Sequence, residues 1–275
     1  MSGKLDRRAL LGAFGVGGAL LARPALAGGV HAAAHGDVGA YLDLLKRRGD
    51  DAGGGRFIGQ AEDLLLPEHN QFRAKNGLGA LHRHPELDAA ARAHAADMLQ
   101  RGYFEHHTPE GFSAVERVGL LARRFVGLAG ENIVEVEGGP PSTAAELAQL
   151  WRDSPGHRAN MLRGAYTHIG FGVARRGDRT VGAAAFGQSF AELNEPVPFR
   201  IDDLRQIGAS FGGRSPVRGY ALEPVGGGEK LGPFWLEDPP AQVGMGGAYS
   251  VKAYLSDPEV ARRFLVVDGP IIEAA

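Results

Sequence analysis

Apolar residues recur at helical spacing along several stretches of the chain. Between residues 61 and 74, Leu64, Leu65, Glu68, His69 and Phe72 fall three and four apart, the period of one helix face. From 85 to 101 the same face carries Leu87, Ala91, His94 and Met98, spaced 4, 3 and 4, and Pro85 suits the first turn. Residues 113–121 and 144–152 are predicted as a third and a fourth helix. Ser154-Pro155 is a helix-start pair, with a hydroxyl for the N-cap and proline at N1. It opens a short helix containing His157, Asn160 and Met161. A strand is predicted over 132–136. HIGFGVA, with Ile169, Phe171 and Val173 alternating with glycine, and TVGAAAFGQSF give two more. Helices flanking a few antiparallel strands imply an α+β domain over residues 60–191.

The flanks have another character. Residues 28–59 are rich in Ala, Gly and His and read as a flexible arm. It holds one short helix over 38–48 (Tyr41, Leu42, Leu44 and Leu45) and a GDDAGGG linker. After residue 191 proline and glycine rise, and short alternations appear, such as Tyr249, Val251, Ala253 and Leu255. RFLVVD at 263–268 is a strand candidate. Residues 192–275 are therefore expected to form a small β-rich C-terminal extension.

The first 27 residues read as an export signal. Lys4, Arg7 and Arg8 precede an apolar run over 9–22, and Ala25-Leu26-Ala27 is a small-x-small cleavage site giving a mature start at Gly28. The run is shorter than the ~20 residues a spanning helix needs, so no transmembrane anchor is expected after cleavage. Arg7-Arg8 followed by Ala-Leu-Leu resembles a twin-arginine signal, without the usual Ser before the pair or Phe after it. The expected destination is the periplasm or the exterior of the cell.

Composition narrows the chemistry. Across 275 residues the formal net charge is −2, which offers no footprint for nucleic acid. Cysteine is absent, which excludes disulfides, thiolate metal sites and cysteine nucleophiles. No phosphate-cradling loop occurs, and Ser154 lacks the G-x-S-x-G setting of a nucleophile elbow. Candidate chemistry concentrates in YFEHHTPEG, residues 103–111. Locally His106 and His107 cannot be told apart, and Glu105 is the nearest partner for either. His94 reads as a hydrogen-bonded core histidine, and Asn70 and Arg73 as residues that fix packing. His82 and His84 read as exposed residues flanking a turn.

EHNQFRAKNGLGAL, YFEHHTPEG, GENI, and WRDSPGHRANML followed by YTHIGFGVA and FGQSF occur in one order and spacing. Together they resemble the bacterial SCP-domain branch of the CAP superfamily, the cysteine-rich secretory protein, antigen 5 and pathogenesis-related 1 group, over about residues 60–191. The resemblance implies a CAP-type α–β–α sandwich. It also implies a cleft of two histidines and two acids, which in some members binds a divalent metal through the histidines. The register of Phe104, Pro109 and Gly111 assigns the first histidine to His106 and leaves His107 in the variable position. The GEN acid is Glu131, and the second histidine is His157. The second acid does not carry over: Ser154 stands three residues after Trp151, where eukaryotic members have glutamate.

Two neutral imidazoles with a carboxylate suit Zn²⁺ or another divalent ion with a position open to water, so His106 and His157 are the expected ligands, with Glu131 as a further one. If Glu131 instead orients an imidazole from behind, affinity is expected to be modest. The bland reading is a hydrogen-bonded polar core in which Ser154 caps its helix and His157 packs under Trp151. The resemblance implies an exported binding module, leaning against an enzyme, that engages a small apolar, lipid or envelope ligand, or a protein. The alternatives are a metal-assisted hydrolase acting on an envelope polymer or peptide, and a scaffold whose C-terminal region does the binding.

Overall fold

The computed structural model describes residues 8–14 (backbone only), 36–211, 216–241, 246–257 and 263–274. The expected export signal therefore lies outside the described residues apart from 8–14, and its cleavage point lies wholly outside them. The helices are α1 (Val38–Asp50), α2 (Gly59–Lys75), α3 (Pro85–Arg101), α4 (Ala114–Leu121), α5 (Ala144–Asp153), α6 (Pro155–Met161) and α7 (Arg205–Phe211). The strands are β1 (Arg8–Phe14), β2 (Arg56–Phe57), β3 (His82–Arg83), β4 (Phe125–Glu137), β5 (His168–Arg176) and β6 (Arg179–Glu192). They continue with β7 (Arg200–Ile201), β8 (Val217–Pro224), β9 (Leu231–Trp235), β10 (Gly247–Ser256) and β11 (Phe264–Ala274).

The strands among the described residues join one sheet, ordered β2-β5-β6-β4-β11-β10-β8-β9, with β1 on β4, β3 on β5 and β7 on β11. The antiparallel ladder β5-β6-β4 is its backbone. Parity along these strands sorts side chains between two helix layers. Ala183 and Ala185 join Ile133 and Ala129 beneath α3, with Leu87, Ala91, Ala95 and Met98. Ala184 and Phe186 point the other way and join Val134, Ile169, Phe171 and Trp151 beneath α2 and α5. The result is the expected α–β–α sandwich.

The α3 side is dense because the sheet there is made of small residues. A Cβ on Gly170 would lie 2.1 Å from the Asp88 nitrogen, and one on Gly172 would lie 2.3 Å from the Arg92 nitrogen. Backbone thus rests directly on backbone. Helix α3 starts at Pro85 with His84 as its N-cap, whose Nδ1 accepts the Glu86 N–H at 3.2 Å, and stops at Gly102 in the left-handed region. His84 is buried, its ring edge-on to Phe125 and His168, in contrast to the exposed residue expected from the turn around it. Asn70 closes both bonds with the Leu81 backbone, and buried Arg73 donates to the carbonyls of Gly79, Met161 and Arg163. Both serve packing.

Two flanking segments are more integrated than sequence implies. The helix expected in a flexible arm is α1, whose Tyr41, Leu42 and Leu45 are buried with Ala93, Phe112, Leu120 and Ile271. Tyr41 stacks on Phe112 at 4.0 Å and 3°. The C-terminal extension is β-rich as expected, but its sheet runs on from β4 through the pair Asp268–Gly127. Its core also contains Val126, Ala191 and Leu193 from the preceding strands.

Candidate functional site

Glu131 lies in the middle of β4, almost wholly buried. Its carboxylate meets three donors from three elements. On Oε1 it receives His94 Nδ1 of α3 at 2.9 Å and Arg117 Nη2 of α4 at 2.8 Å; on Oε2 it receives His106 Nδ1, from the turn after α3, at 2.9 Å. Burial alone would raise the Glu131 carboxyl. The Arg117 guanidinium, and after it the two histidines, instead hold it well below the usual carboxylate range. An ionised carboxylate can only accept, so both histidines donate from Nδ1, and a neutral ring so oriented carries its lone pair on Nε2. A buried charge of this kind persists because it is paired and fully hydrogen-bonded.

Arg117 does a second task. Its Nη2 also donates to the His106 carbonyl at 3.0 Å and its Nη1 to that of Phe112 at 3.1 Å, tying the turn that carries His106 to the start of α4. That start is secured by a capping box between Ser113 and Glu116.

His157 arrives from the opposite layer. It is buried on α6, and two asparagines latch that helix to β4. Asn132 Nδ2 donates to the His157 carbonyl at 3.1 Å, while Asn160 Nδ2 donates to Asn132 Oδ1 at 2.8 Å and to the Glu131 carbonyl at 3.1 Å. Burial, and next the neighbouring His106, pull His157 down to about 4, so its imidazole is neutral at ordinary pH.

The structure thus joins His106 to Glu131 directly and brings His157 beside them through α6. Ser154 sits at the junction of α5 and α6, and its side chain makes no capping hydrogen bond, contrary to the cap role expected for it. Glu105 and His107 are exposed. His94 is a hydrogen-bonded core histidine, but its partner is Glu131 itself, so it belongs to the site. Arg117, Asn132 and Asn160 were not expected there. For His94 and Asn132 a signal existed, one on the inward face of α3 and the other next to the GEN acid. For Arg117 none did.

Could the residues hold a metal? His106, braced from behind by Glu131, has the carboxylate–histidine arrangement that orients a ligating imidazole, and neutral His157 supplies a second donor. Glu131 itself is committed to its three donors. Among the described residues no group of three or more His, Asp or Glu is disposed to hold an ion. The donors available to an ion here are thus the two imidazoles of His106 and His157, with Glu131 behind the first.

Residues 66–189 match the model of the cysteine-rich secretory protein family, CAP. Two curated relatives come from Bacillus subtilis (strain 168). The uncharacterized protein YkwD is 34% identical over 119 residues, 42% of this chain and 43% of that protein. The uncharacterized membrane protein YlbC is 33% identical over 119 residues, 42% of this chain and 32% of its own length. The matched segment thus spans less than half of either relative. Among solved structures, an outer surface protein from Borrelia burgdorferi is 17% identical with a TM-score of 0.43, covering 49% of this chain and 98% of that one. An extracellular protein containing a SCP domain from Bacillus anthracis str. Ames is 24% identical with a TM-score of 0.40, covering 47% and 40%. Among the described residues no helix is long and apolar enough to cross a membrane.

Proposed function

The chain carries a CAP domain of the bacterial branch over residues 66–189, and from that premise we propose that it is an exported binding module whose cleft is built on His106, Glu131 and His157. The observation that carries this reading is the state of Glu131. Its two oxygens take bonds from His94, His106 and Arg117. A carboxylate so committed, and held ionised, is a brace for His106. General-base or nucleophile work needs a carboxylate that can reach the substrate's proton or reacting atom. Ser154 stands where a second acid would be, at the junction of α5 and α6.

The ion this cleft suits is Zn²⁺ or another divalent cation, held by His106 and His157. When bound, such an ion would supply a Lewis-acidic point with water in its remaining positions. The chain's own residues do the rest. Glu131 fixes the tautomer and orientation of His106, Arg117 holds the turn beneath it, and the Asn132–Asn160 pair fixes the height of His157. The ligand is an extended, apolar or envelope-derived molecule or protein segment lying along the cleft. Export is supported by the basic, then apolar, stretch over residues 4–22.

Elemental analysis of protein dialysed against Zn²⁺, wild type beside His106→Ala/His157→Ala, tests the metal part. About one equivalent in the wild type and a loss of at least tenfold in the double variant is expected. Equal, near-zero metal in both would sink it. Turnover of an envelope polymer or peptide that is abolished by His106→Ala and restored to chelated wild type by Zn²⁺ would replace the binding reading with a hydrolase.

A further inference from the structure

One edge of β4 is paired along its whole length with β6, from Phe125 to Glu137. The other edge is divided. At its beginning it meets the C-terminal strands through the pair Gly127–Asp268. From Glu131 to Glu137 it is taken by β1, seven residues in unbroken antiparallel register from Arg8–Glu137 to Phe14–Glu131. Nothing else in the sheet order adjoins that stretch among the described residues. An edge strand without a neighbour presents a row of unpaired N–H and C=O groups, which is a template for an added strand.

Three features make this edge a groove for a defined occupant. Its length is set, since β1 covers the stretch between the cleft and the end of β4. Its wall is set, since α5 and α6 line β1 as well as β4. Its polarity is also set. The antiparallel register puts the N-terminal end of an occupant opposite exposed Glu137, where the chain's own segment has Arg8, and its C-terminal end opposite Glu131, the hub of the cleft. We propose that the Glu131–Glu137 edge of β4 is a strand-addition site for an extended apolar peptide with a basic residue at its N-terminal end, and that the chain's own Arg8–Phe14 is its occupant in cis. Main-chain pairing supplies the affinity in this mode of recognition, and the register supplies direction. Whenever the N-terminal segment is absent, the edge is open to a partner, whose C-terminal end then lies against the His106–Glu131–His157 cluster. The proposal rests on the binding reading above only for what that end meets; the pairing itself needs no metal.

The buried residues of the four apolar clusters run from Val38 to Ala274, so residues 36–275 retain every one of them. The probe is the acetylated, amidated heptapeptide of residues 8–14, carrying a fluorophore on an added C-terminal lysine. Its anisotropy is titrated with the full chain, with residues 36–275, and with full-length Leu10→Pro/Leu11→Pro, in which adjacent prolines remove a ladder N–H whichever residue faces β4. The two opened forms are expected to bind at least tenfold tighter than the full chain. N-methylation of alternate peptide residues adds a signature that apolar sticking would lack: one of the two sets (9, 11, 13 or 10, 12, 14) abolishes binding and the other does not. Amide exchange adds a second signature. Alternate amides between Glu131 and Glu137 exchange faster in both opened forms than in the full chain and regain protection with peptide. Equal binding by all three chains, indifference to both methylated sets, or unchanged exchange would each overturn the proposal. Repeating the titration with His106→Ala/His157→Ala in residues 36–275 separates the two readings, since peptide binding persists there even if the metal reading has failed.

Discussion

At the scale of single residues the site is a problem of one buried charge. Glu131 is stabilised as an anion because Arg117 lies against it, and Arg117 is itself buried. Removing one member of such a pair strands the other, which costs about 3–5 kcal/mol, whereas removing both can be nearly neutral. Arg117→Met is therefore expected to lower urea-unfolding stability at pH 7 by that amount, and Arg117→Met/Glu131→Gln to recover most of it. A loss below ~1 kcal/mol in the single variant would mean that the histidines alone satisfy the carboxylate. A different buried histidine sets a pH dependence. His69 lies in the core against Trp151 and Phe171, with Nδ1 donating to the Leu65 carbonyl at 2.9 Å; burial chiefly lowers it from 6.5 to about 4. Below pH 6.5 the unfolded chain takes up a proton that folded His69 refuses, so its contribution is complete above 6.5 and is lost as pH falls towards 4. The span corresponds to about 3 kcal/mol. Urea midpoints measured from pH 7 to 4 should therefore fall less steeply in His69→Phe than in wild type; parallel profiles would show that His69 titrates normally in the fold.

At the scale of elements, the positions of chemistry-bearing residues follow from how each segment is pinned. The turn holding His106 is pinned by Arg117, α6 by the two asparagines, and α3 by the glycines beneath it. The sequence pattern captured α2 through α5, because their apolar spacing and capping residues are local signals. It captured β5 through the alternation of Gly170 and Gly172 with Ile169, Phe171 and Val173, though only the structure gives the reason, which is the backbone of α3 lying on those glycines. It found only the end of β4. The opening FVGLAG has no period-two alternation, since β4 is covered on both faces and can be apolar or small throughout. Of the site, His106, Glu131 and His157 were legible through motif register. Arg117 was not, because a lone arginine on an amphipathic helix looks like any solvated one until the carboxylate behind it is located. Ser154 was legible as the residue in a helix-start pair but not as one whose side chain forgoes the cap.

At the scale of the whole molecule, the C-terminal region behaves as part of one sheet and one core with the segment before it. Arg123, just beyond α4, illustrates the coupling. Its guanidinium donates to the carbonyls of Gly119, Val197, Pro198 and Ile271, bridging the domain to the strand that closes the chain, and burial pulls it down to about 10. On the sheet itself Val126, Ala191 and Leu193 share a cluster with Phe211, Tyr220, Val251 and Ile272. Cutting the chain after residue 194 would leave that apolar surface in water and three of the four Arg123 acceptors missing. Shared burial of this kind makes the two parts unfold together. The two tryptophans allow a direct check, since Trp151 is on the buried face of α5 and Trp235 lies on β9. In Trp235→Phe the fluorescence reports the domain, and in Trp151→Phe it reports the C-terminal strands. Within each variant the urea transition seen by fluorescence should coincide with that seen by far-ultraviolet circular dichroism, and residues 1–194 alone should not yield a folded monomer. Separate midpoints, or a truncated chain with a cooperative transition of its own, would make the C-terminal strands an independent unit resting on the domain rather than part of its core.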